Sequence, residues 1–563
     1  MIPNNANIIQ RLKYHKYVEV FIAYWIIVFI LYLPAAKAGR VGDFPGWVHF
    51  LITSNFLDYI NRTDSEHIQS MYQFTQIVTF VFYKMFGANA WLWHLLFITM
   101  QAVNAWLLFT FARRLFSDSS IGNAIPAAFT GALLFCVSPH ISEVVVWESA
   151  FHYLLALMLM LIVCWCTLQF LAGLQRKFAL WGGIVFLLST FSLEFFYITP
   201  VLVLTMILYY LLALNTEKKV IVKTLLFFTL PQLIFFLLHF ILLYAKYHSG
   251  IAHITSATLH VNETNMSKGP KYIFHILFFG RFWGDEWRLK IYEFCASGAG
   301  LAAFYGIITL VLLFLAVRFR QLNSSQKLLA FLFIWVLVAL ALLLPLWFPD
   351  TGLVIYDRYT YALDAFIYMS LALLVFIIMP KYVSAGLVLL FAMLNMRFTH
   401  KVNAYWQQSA RIVNNLVATF PNDPSKKVLL LNLPECLDGV QMIGTRDDGE
   451  FTMMYNAIQP NKITNPVYDV EAFYMRSPAD GAHVIVVNDS TIKVTLNQWG
   501  TWWLYYGFGA TSYENNDYKV AMRDVGHWYD LILKHPASEY LILYSVGKDW
   551  KKVDWNKKNV EQD

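Results

Sequence analysis

The chain is patterned by long apolar runs separated by short polar connections. A bilayer core about 30 Å thick is crossed by roughly 20 helical residues at a rise of about 1.5 Å each. Runs near that length predict spans at Tyr17–Ala36, Ala90–Phe111, Ala124–Ser138, Glu148–Leu171, Phe178–Phe195, Tyr197–Leu214, Thr224–Tyr244, Ala296–Val317, Leu328–Trp347, Tyr361–Met379 and Tyr382–Met396. A shorter run, Tyr72–Phe86, follows a polar loop and predicts a helix lying in the interface. Beyond the proline-bounded stretch Phe420 to Pro424 the pattern shifts to short β-rich runs. These are Lys427–Leu433, His483–Val487, Thr491–Leu496, Trp502–Tyr506 and Tyr540–Tyr544, with helical spacing over Arg523–Lys534. The expected architecture is a polytopic α-helical membrane protein of about eleven transmembrane helices over residues 1–420, followed by a C-terminal soluble α/β domain over 421–563. No internal repeat interrupts it.

Composition sharpens that division. Apolar residues make up 58% of the 563 positions and charged residues only 14%, with a mean hydropathy of +0.50. Soluble domains carry about 25% charged residues, so most of this chain is not built for water. Of the charged residues, 33 lie in the last 143 positions, which restores an ordinary soluble composition there. The formal net charge of +6 divides into −5 for that tail and +11 for the rest. An acidic tail without a basic run is a poor nucleic-acid binder, and no nucleic-acid partner is expected. The five cysteines show no metal-ligand spacing, and Cys164 and Cys166 sit inside an apolar run as small hydrophobes. No cleavable signal peptide is read, since Tyr17–Ala36 is long enough to span and lacks a small-residue cleavage site.

Basic residues set the expected orientation. Alternate connections hold Arg11, Lys13 and Lys16, then Arg113 and Arg114, Arg176 and Lys177, Lys218, Lys219 and Lys223, Arg318, Arg320 and Lys327, and Lys381. Short loops enriched in Lys and Arg face the cytoplasm. The amino terminus is therefore expected inside, and an odd number of spans places the tail outside, in the periplasm of a bacterial inner membrane. The long connections Lys37–Asn89 and Ala245–Cys295 share that outer face, where loops on a rigid scaffold concentrate binding and chemistry.

Several polar residues stand out there. Asp43 lies just beyond the first span, and a carboxylate desolvated at an apolar boundary gains proton affinity and suits a general base. The turn between two spans packs His140, Glu143, Trp147 and Glu148 into nine residues, and ionisable groups at membrane depth are functional candidates. Glu194 occupies the next short outer turn. Arg358, beside Asp357, Tyr359 and Tyr361, ends the loop before the tenth span, where a guanidinium holds a phosphate through two parallel N–H bonds. A divalent metal is compatible with such a site, but no His/Asp/Glu spacing indicates one, and no cofactor is expected.

These residues resemble the GT-C superfamily of integral-membrane glycosyltransferases, and most closely its protein O-mannosyltransferase branch, which includes the tetratricopeptide-bearing O-mannosyltransferases. Pro139, Glu143, Val146 and Trp147 match that branch's His-Pro-x-His-x-Glu-x-Val pattern, with Ser138 in place of its first histidine. His94 and Asn104 match its second span, while Phe97 and Gln101 depart from it. Arg358, Tyr359, Tyr361 and Phe366 resemble its Glu-Arg-Tyr-Leu-Tyr-Leu-Pro loop, with Asp357 replacing glutamate. Glu194 ahead of Ile198 to Pro200 is similar to its Lys-Glu turn without the lysine, and Asp43 falls where the superfamily carries an acidic residue in its first outer loop. The tail lacks tetratricopeptide periodicity.

The resemblance implies a glycosyltransferase of hexosyl or mannosyl type, serving protein O-glycosylation or the cell envelope. It would move a sugar from a polyprenyl-phosphate donor to a hydroxyl of a protein, lipid or glycan acceptor. Asp43 and Glu143 would be its catalytic residues. Arg358, Tyr359, Tyr361, Glu194, His140, Trp147 and His94 would bind substrate, and membrane lipids would surround the donor's tail. The alternative is a transporter or flippase of lipid-linked sugars, which would show paired halves with broken helices at matching positions.

The orientation is open to direct test. A cysteine introduced at Asn515 is expected to react with a membrane-impermeant thiol reagent in intact cells. Labelling only after lysis places the tail inside.

Overall fold

The computed structural model describes residues 5–39, 51–61, 71–248, 263–344, 357–443, 449–496, 503–504 and 511–555. Among them, nine helices are long and apolar enough to cross a membrane, and a tenth span forms if the pair Ala124–Cys136 and Pro139–Val146, bent by 50°, is counted as one. The chain is an integral membrane protein. Apolar side chains face outward where lipid replaces water. The helix Gly298–Arg318 exposes Ile307, Leu310, Leu313 and Val317 along its length.

One expected span differs. Phe178–Phe195 is a 14-residue helix, Arg176–Ser189, about 21 Å long, followed by a turn and the short 3-10 stretch Glu194–Tyr197. That is short of the hydrocarbon thickness, yet it returns the chain to the end that holds Glu148, since Tyr153 packs on Phe195 at 5.8 Å between ring centroids. The helix Gln73–Phe86 has 14 residues, with Thr75 and Thr79 buried and Ile77, Val81 and Met85 exposed as an apolar stripe, as a helix in the interface requires. The connection expected as a loop at Ala245–Cys295 contains two helices, Glu263–Leu277 and Asp285–Ala296, and the first buries Lys268, Lys271 and His275 on one face.

Close helix approach sets the middle of the bundle. A Cβ on Gly131 would stand 3.0 Å from Met369 Cα and 3.3 Å from Tyr368 O, so glycine lets Ala124–Cys136 lie tightly against Tyr361–Ile378, where a larger residue would push the two helices apart. That contact brings Ser138 Oγ to donate to Asp364 Oδ2 at 2.7 Å.

The last helix, Lys381–Ala418, has 38 residues and is about 57 Å long, nearly twice the hydrocarbon thickness. Its first half exposes Leu389, Leu390 and Met393, as a lipid-facing surface does. Its last turns bury Ile412, Val413, Leu416 and Val417 in the core of the tail. Trp550 Nε1 donates to Leu416 O at 2.7 Å, and Asn415 Nδ2 to Lys548 O at 2.8 Å.

The tail is mixed α/β, with three sheets among the described residues. In the first, Lys427–Leu430 pairs in parallel with both Tyr540–Val546 and Val467–Asp469, and Asp549–Lys552 adds an antiparallel edge. The second is antiparallel, in the order Ala482–Asn488, Thr491–Leu496, Trp528–Leu533, Tyr518–Arg523 and Tyr513–Glu514. The third joins Val440–Gln441, Leu433–Leu437, Ala472–Met475 and Trp503–Leu504. The helix expected at Arg523–Lys534 is instead a 3-10 turn, Asp524–Gly526, and the strand Trp528–Leu533. Tyr529, Leu531 and Leu533 are buried while Trp528, Asp530 and Ile532 are part-exposed, a period of two that fits one buried sheet face.

Among the carboxyls that the tail buries, Glu471 is held at a cost. Both oxygens of Glu471 lack a hydrogen-bond partner among the described residues, and burial pushes its pKa well up. Above about pH 4.3 the unfolded chain ionises this group while the folded chain keeps its proton, so stability falls with rising pH by about 1.4 kcal/mol per unit up to the folded pKa. Glu471→Gln is therefore expected to raise the unfolding temperature at pH 7 and to change it little near pH 4. Equal shifts at both pH values would exclude the buried carboxyl as the cause.

Candidate functional site

The site is built where the bent span turns. Ser138 Oγ accepts from His140 N at 3.3 Å and starts the 3-10 turn Pro139–Ile141, which leads directly into Ser142–Val146. The last helix holds this turn from behind. Thr399 Oγ1 donates to Val137 O at 2.8 Å, and Asn403 accepts from Ser142 Oγ at 2.8 Å while donating to Leu31 O at 2.8 Å. Such bonds satisfy backbone and hydroxyl groups that have no water inside a bundle. Glu143 is thereby fixed with only 4% of its surface exposed.

Opposite it lies the 3-10 turn Asp357–Thr360. Arg358 N donates to Glu143 Oε2 at 2.8 Å, and the Arg358 guanidinium donates to Glu143 Oε1. The guanidinium carbon lies 4.9 Å from the ring centroids of both Trp147 and Tyr359, a cation–π arrangement that holds it in one orientation. The Arg358 side chain is 13% exposed and ion-paired, unlike a snorkelling arginine that keeps its head in water. Tyr359 also approaches Tyr153, at 6.3 Å between centroids. Glu194 accepts from Tyr72 OH at 3.2 Å, and the Tyr72 ring stacks on His152 at 5.7 Å.

A second cluster sits beside the first. Asp357 Oδ1 accepts from His275 Nε2 at 2.6 Å, Arg281 donates to Asp357 Oδ2, and His140 Nδ1 lies 3.6 Å from Asp357 Oδ1. Arg281 donates also to Asp438 O and so joins the membrane domain to the tail. His140, His275 and Asp357 form a group of potential metal ligands within 4.8 Å of one another. No sequence spacing showed it, because His275 and Asp357 are 82 residues apart.

The structure thus gathers Glu143, Arg358, Trp147 and Tyr359 into one contact, with the Glu194 turn reached through Tyr153, which packs on both Tyr359 and Phe195, and His140 close to Asp357. His94 lies apart from the Arg358 pair. Its Nε2 is 2.8 Å from Gly39 O and 3.9 Å from Glu148 Oε1, so it anchors the chain just before the first long connection. Tyr361 points elsewhere: its OH donates to Gln101 Oε1 and accepts from Asn104 Nδ2 at 3.0 Å, inside the bundle. Asp43 lies outside the described residues. Asp364, buried within an apolar span, carried a signal that sequence reasoning missed, since an ionisable residue there is a candidate by position alone. Tyr72, Tyr153, His275 and Arg281 carried none.

No protein-family model and no curated protein matches the chain. Among solved structures, it is similar to ArnT from Cupriavidus metallidurans bound to undecaprenyl phosphate, at 14% identity and a TM-score of 0.38 over 82% of this chain and 93% of that one. The apo form of the same protein gives 13% identity and a TM-score of 0.39 with the same coverage. The Archaeoglobus fulgidus oligosaccharyltransferase tethered to an acceptor peptide gives 12% and 0.35, over 79% of this chain and 63% of that one. At TM-scores below 0.5 the likeness is one of general outline.

The ion pair generates a stability test. Arg358→Met leaves the Glu143 carboxylate buried without its counter-charge and is expected to cost about 3–5 kcal/mol. Adding Glu143→Gln to that variant is expected to recover most of the loss in thermal unfolding of the detergent-solubilised protein. Additive losses in the double variant would show that the two groups are not coupled.

Proposed function

We propose that this protein is a GT-C-type glycosyltransferase that moves a sugar from a polyprenyl-phosphate donor to an acceptor hydroxyl at the membrane end that carries the tail, on the extracytoplasmic face. The observation that carries this reading is the oriented Arg358 guanidinium, held by Glu143 and two aromatic faces at the end of an apolar bundle. A fixed cation in a low-dielectric setting suits the phosphate charge that develops as the donor's anomeric bond breaks. Lys268 and Lys271, buried on the helix face that also bears His275, add positive charge on the same side.

In this reading Asp43 takes the proton from the acceptor hydroxyl, whose oxygen attacks the anomeric carbon while the lipid phosphate leaves. Each Glu143 oxygen already accepts a hydrogen bond from Arg358, so Glu143 acts by positioning that residue rather than by taking the proton. Glu194, with Tyr72 and Tyr153 near it, offers hydrogen bonds to sugar or acceptor hydroxyls. The exposed apolar helix faces leave room for a polyprenyl tail in the lipid.

Transfer of radiolabel from a polyprenyl-phosphate sugar to an acceptor is the test, because a flippase moves the donor without consuming it. Asp43→Asn is expected to lower turnover by about 10²-fold or more while the protein stays folded. Arg358→Lys, which keeps the charge without the planar fork, is expected to weaken donor use by roughly 10- to 150-fold. Wild-type kinetics for Arg358→Lys would remove Arg358 from the phosphate site.

A further inference from the structure

The transfer reading leaves the cluster around Asp357 unused. His140, His275 and Asp357 come from a turn, a helix and the start of a span that are distant in sequence, and all three are buried. Neither ring nitrogen of His140 has a hydrogen-bond partner among the described residues, although the side chain has no exposed surface. Leaving a buried polar group unpaired is costly, and none of the described residues supplies a partner for this imidazole. Its Nδ1 stands 3.6 Å from Asp357 Oδ1, beyond a hydrogen bond. The distance is close to the edge of a coordination tetrahedron, since two ligands each about 2.0–2.2 Å from zinc lie roughly 3.3–3.5 Å apart.

We propose that His140 Nδ1, His275 Nε2 and Asp357 Oδ1 form a binding site for a divalent transition-metal ion, with zinc the ion that this donor set fits best. Two imidazoles and one carboxylate favour zinc over magnesium or calcium, which prefer all-oxygen shells. The ion takes the place of the hydrogen between His275 Nε2 and Asp357 Oδ1, and the ligating imidazole carries its hydrogen on Nδ1. The His275–Asp357 separation of 2.6 Å opens to roughly 3.3 Å on binding, a displacement within the reach of side-chain rotation. Arg281, bonded to Asp357 Oδ2, serves as the outer partner that orients a ligating carboxylate. Three protein ligands leave the fourth position to water. The ion would fasten the His140 turn, the helix Glu263–Leu277 and the span Asp357–Ile378 to one another, and through Arg281 to the tail at Asp438.

This proposal is independent of the transfer reading, and its readouts are metal content and stability. The full-length protein in detergent is stripped with EDTA, loaded with zinc, desalted and analysed for metal by mass spectrometry. About one tightly held zinc per chain is expected, with a higher unfolding temperature that magnesium does not reproduce. His140→Ala and His275→Ala are each expected to lose both the zinc and the shift. His275→Cys guards against a misfolded alanine variant: loaded with cobalt, it is expected to show a thiolate-to-metal charge-transfer band that wild type lacks. No retained zinc in the wild type, equal retention by both alanine variants, or no charge-transfer band in the folded cysteine variant would overturn the site.

Discussion

Two neighbouring residues of opposite charge, Asp357 and Arg358, tie this molecule together. One short 3-10 turn presents both at the end of an apolar bundle, where an unpaired charge is costly, and each finds its opposite on a different part of the chain. Arg358 reaches Glu143 on the turn between two spans. Asp357 reaches Arg281 and His275, which lie within the long connection Ala245–Cys295. The two bridges define where the bent span and the segment carrying His275 and Arg281 meet, because neither can withdraw without stranding a charge, and the Arg281 bond to Asp438 O brings the tail to the same place. The aromatic faces of Trp147 and Tyr359 then close over the guanidinium. Buried pairs of this kind add little net stability over well-packed hydrophobic residues, and their effect lies in the arrangement they permit.

Much of the membrane architecture was legible because span length and hydropathy are local properties. The shortened helix within Phe178–Phe195 marks the limit of that signal, since a window average does not register the turn near Ser192 and Leu193. The tail strand Trp528–Leu533 was legible in principle. Tyr529, Leu531 and Leu533 alternate with Trp528, Asp530 and Ile532, but the same six residues also satisfy a short helical spacing, and only the sheet partners Thr491–Leu496 and Tyr518–Arg523 decide between them. Period alone is ambiguous over so short a stretch.

The site divides in the same way. Glu143 and Arg358 stood out because charge is rare at the ends of apolar runs. Their direct pairing was not visible, since they are 215 residues apart. His275 and Arg281 sit in a polar connection where such residues are ordinary, and their importance arises only once folding delivers them to Asp357. Tyr361 shows the reverse case. Its neighbours in sequence suggested a shared role with Arg358, but a 3-10 turn passing into a helix sends adjacent side chains in different directions, and its hydroxyl is absorbed by Gln101 and Asn104.

The 38-residue helix Lys381–Ala418 has a mechanical meaning. It is continuous from the lipid-facing surface into the core of the tail, so the two regions share one stiff shaft. Each residue added to it would lift the tail by about 1.5 Å and turn it by about 100° about the shaft. The contact between Arg281 and Asp438 meets the tail from the side and acts as a key that fixes the angle. Shaft length and key together select one azimuth for the tail above the bundle, which makes the spacing between Asn403 and Asn415 a dimension of the molecule rather than a linker.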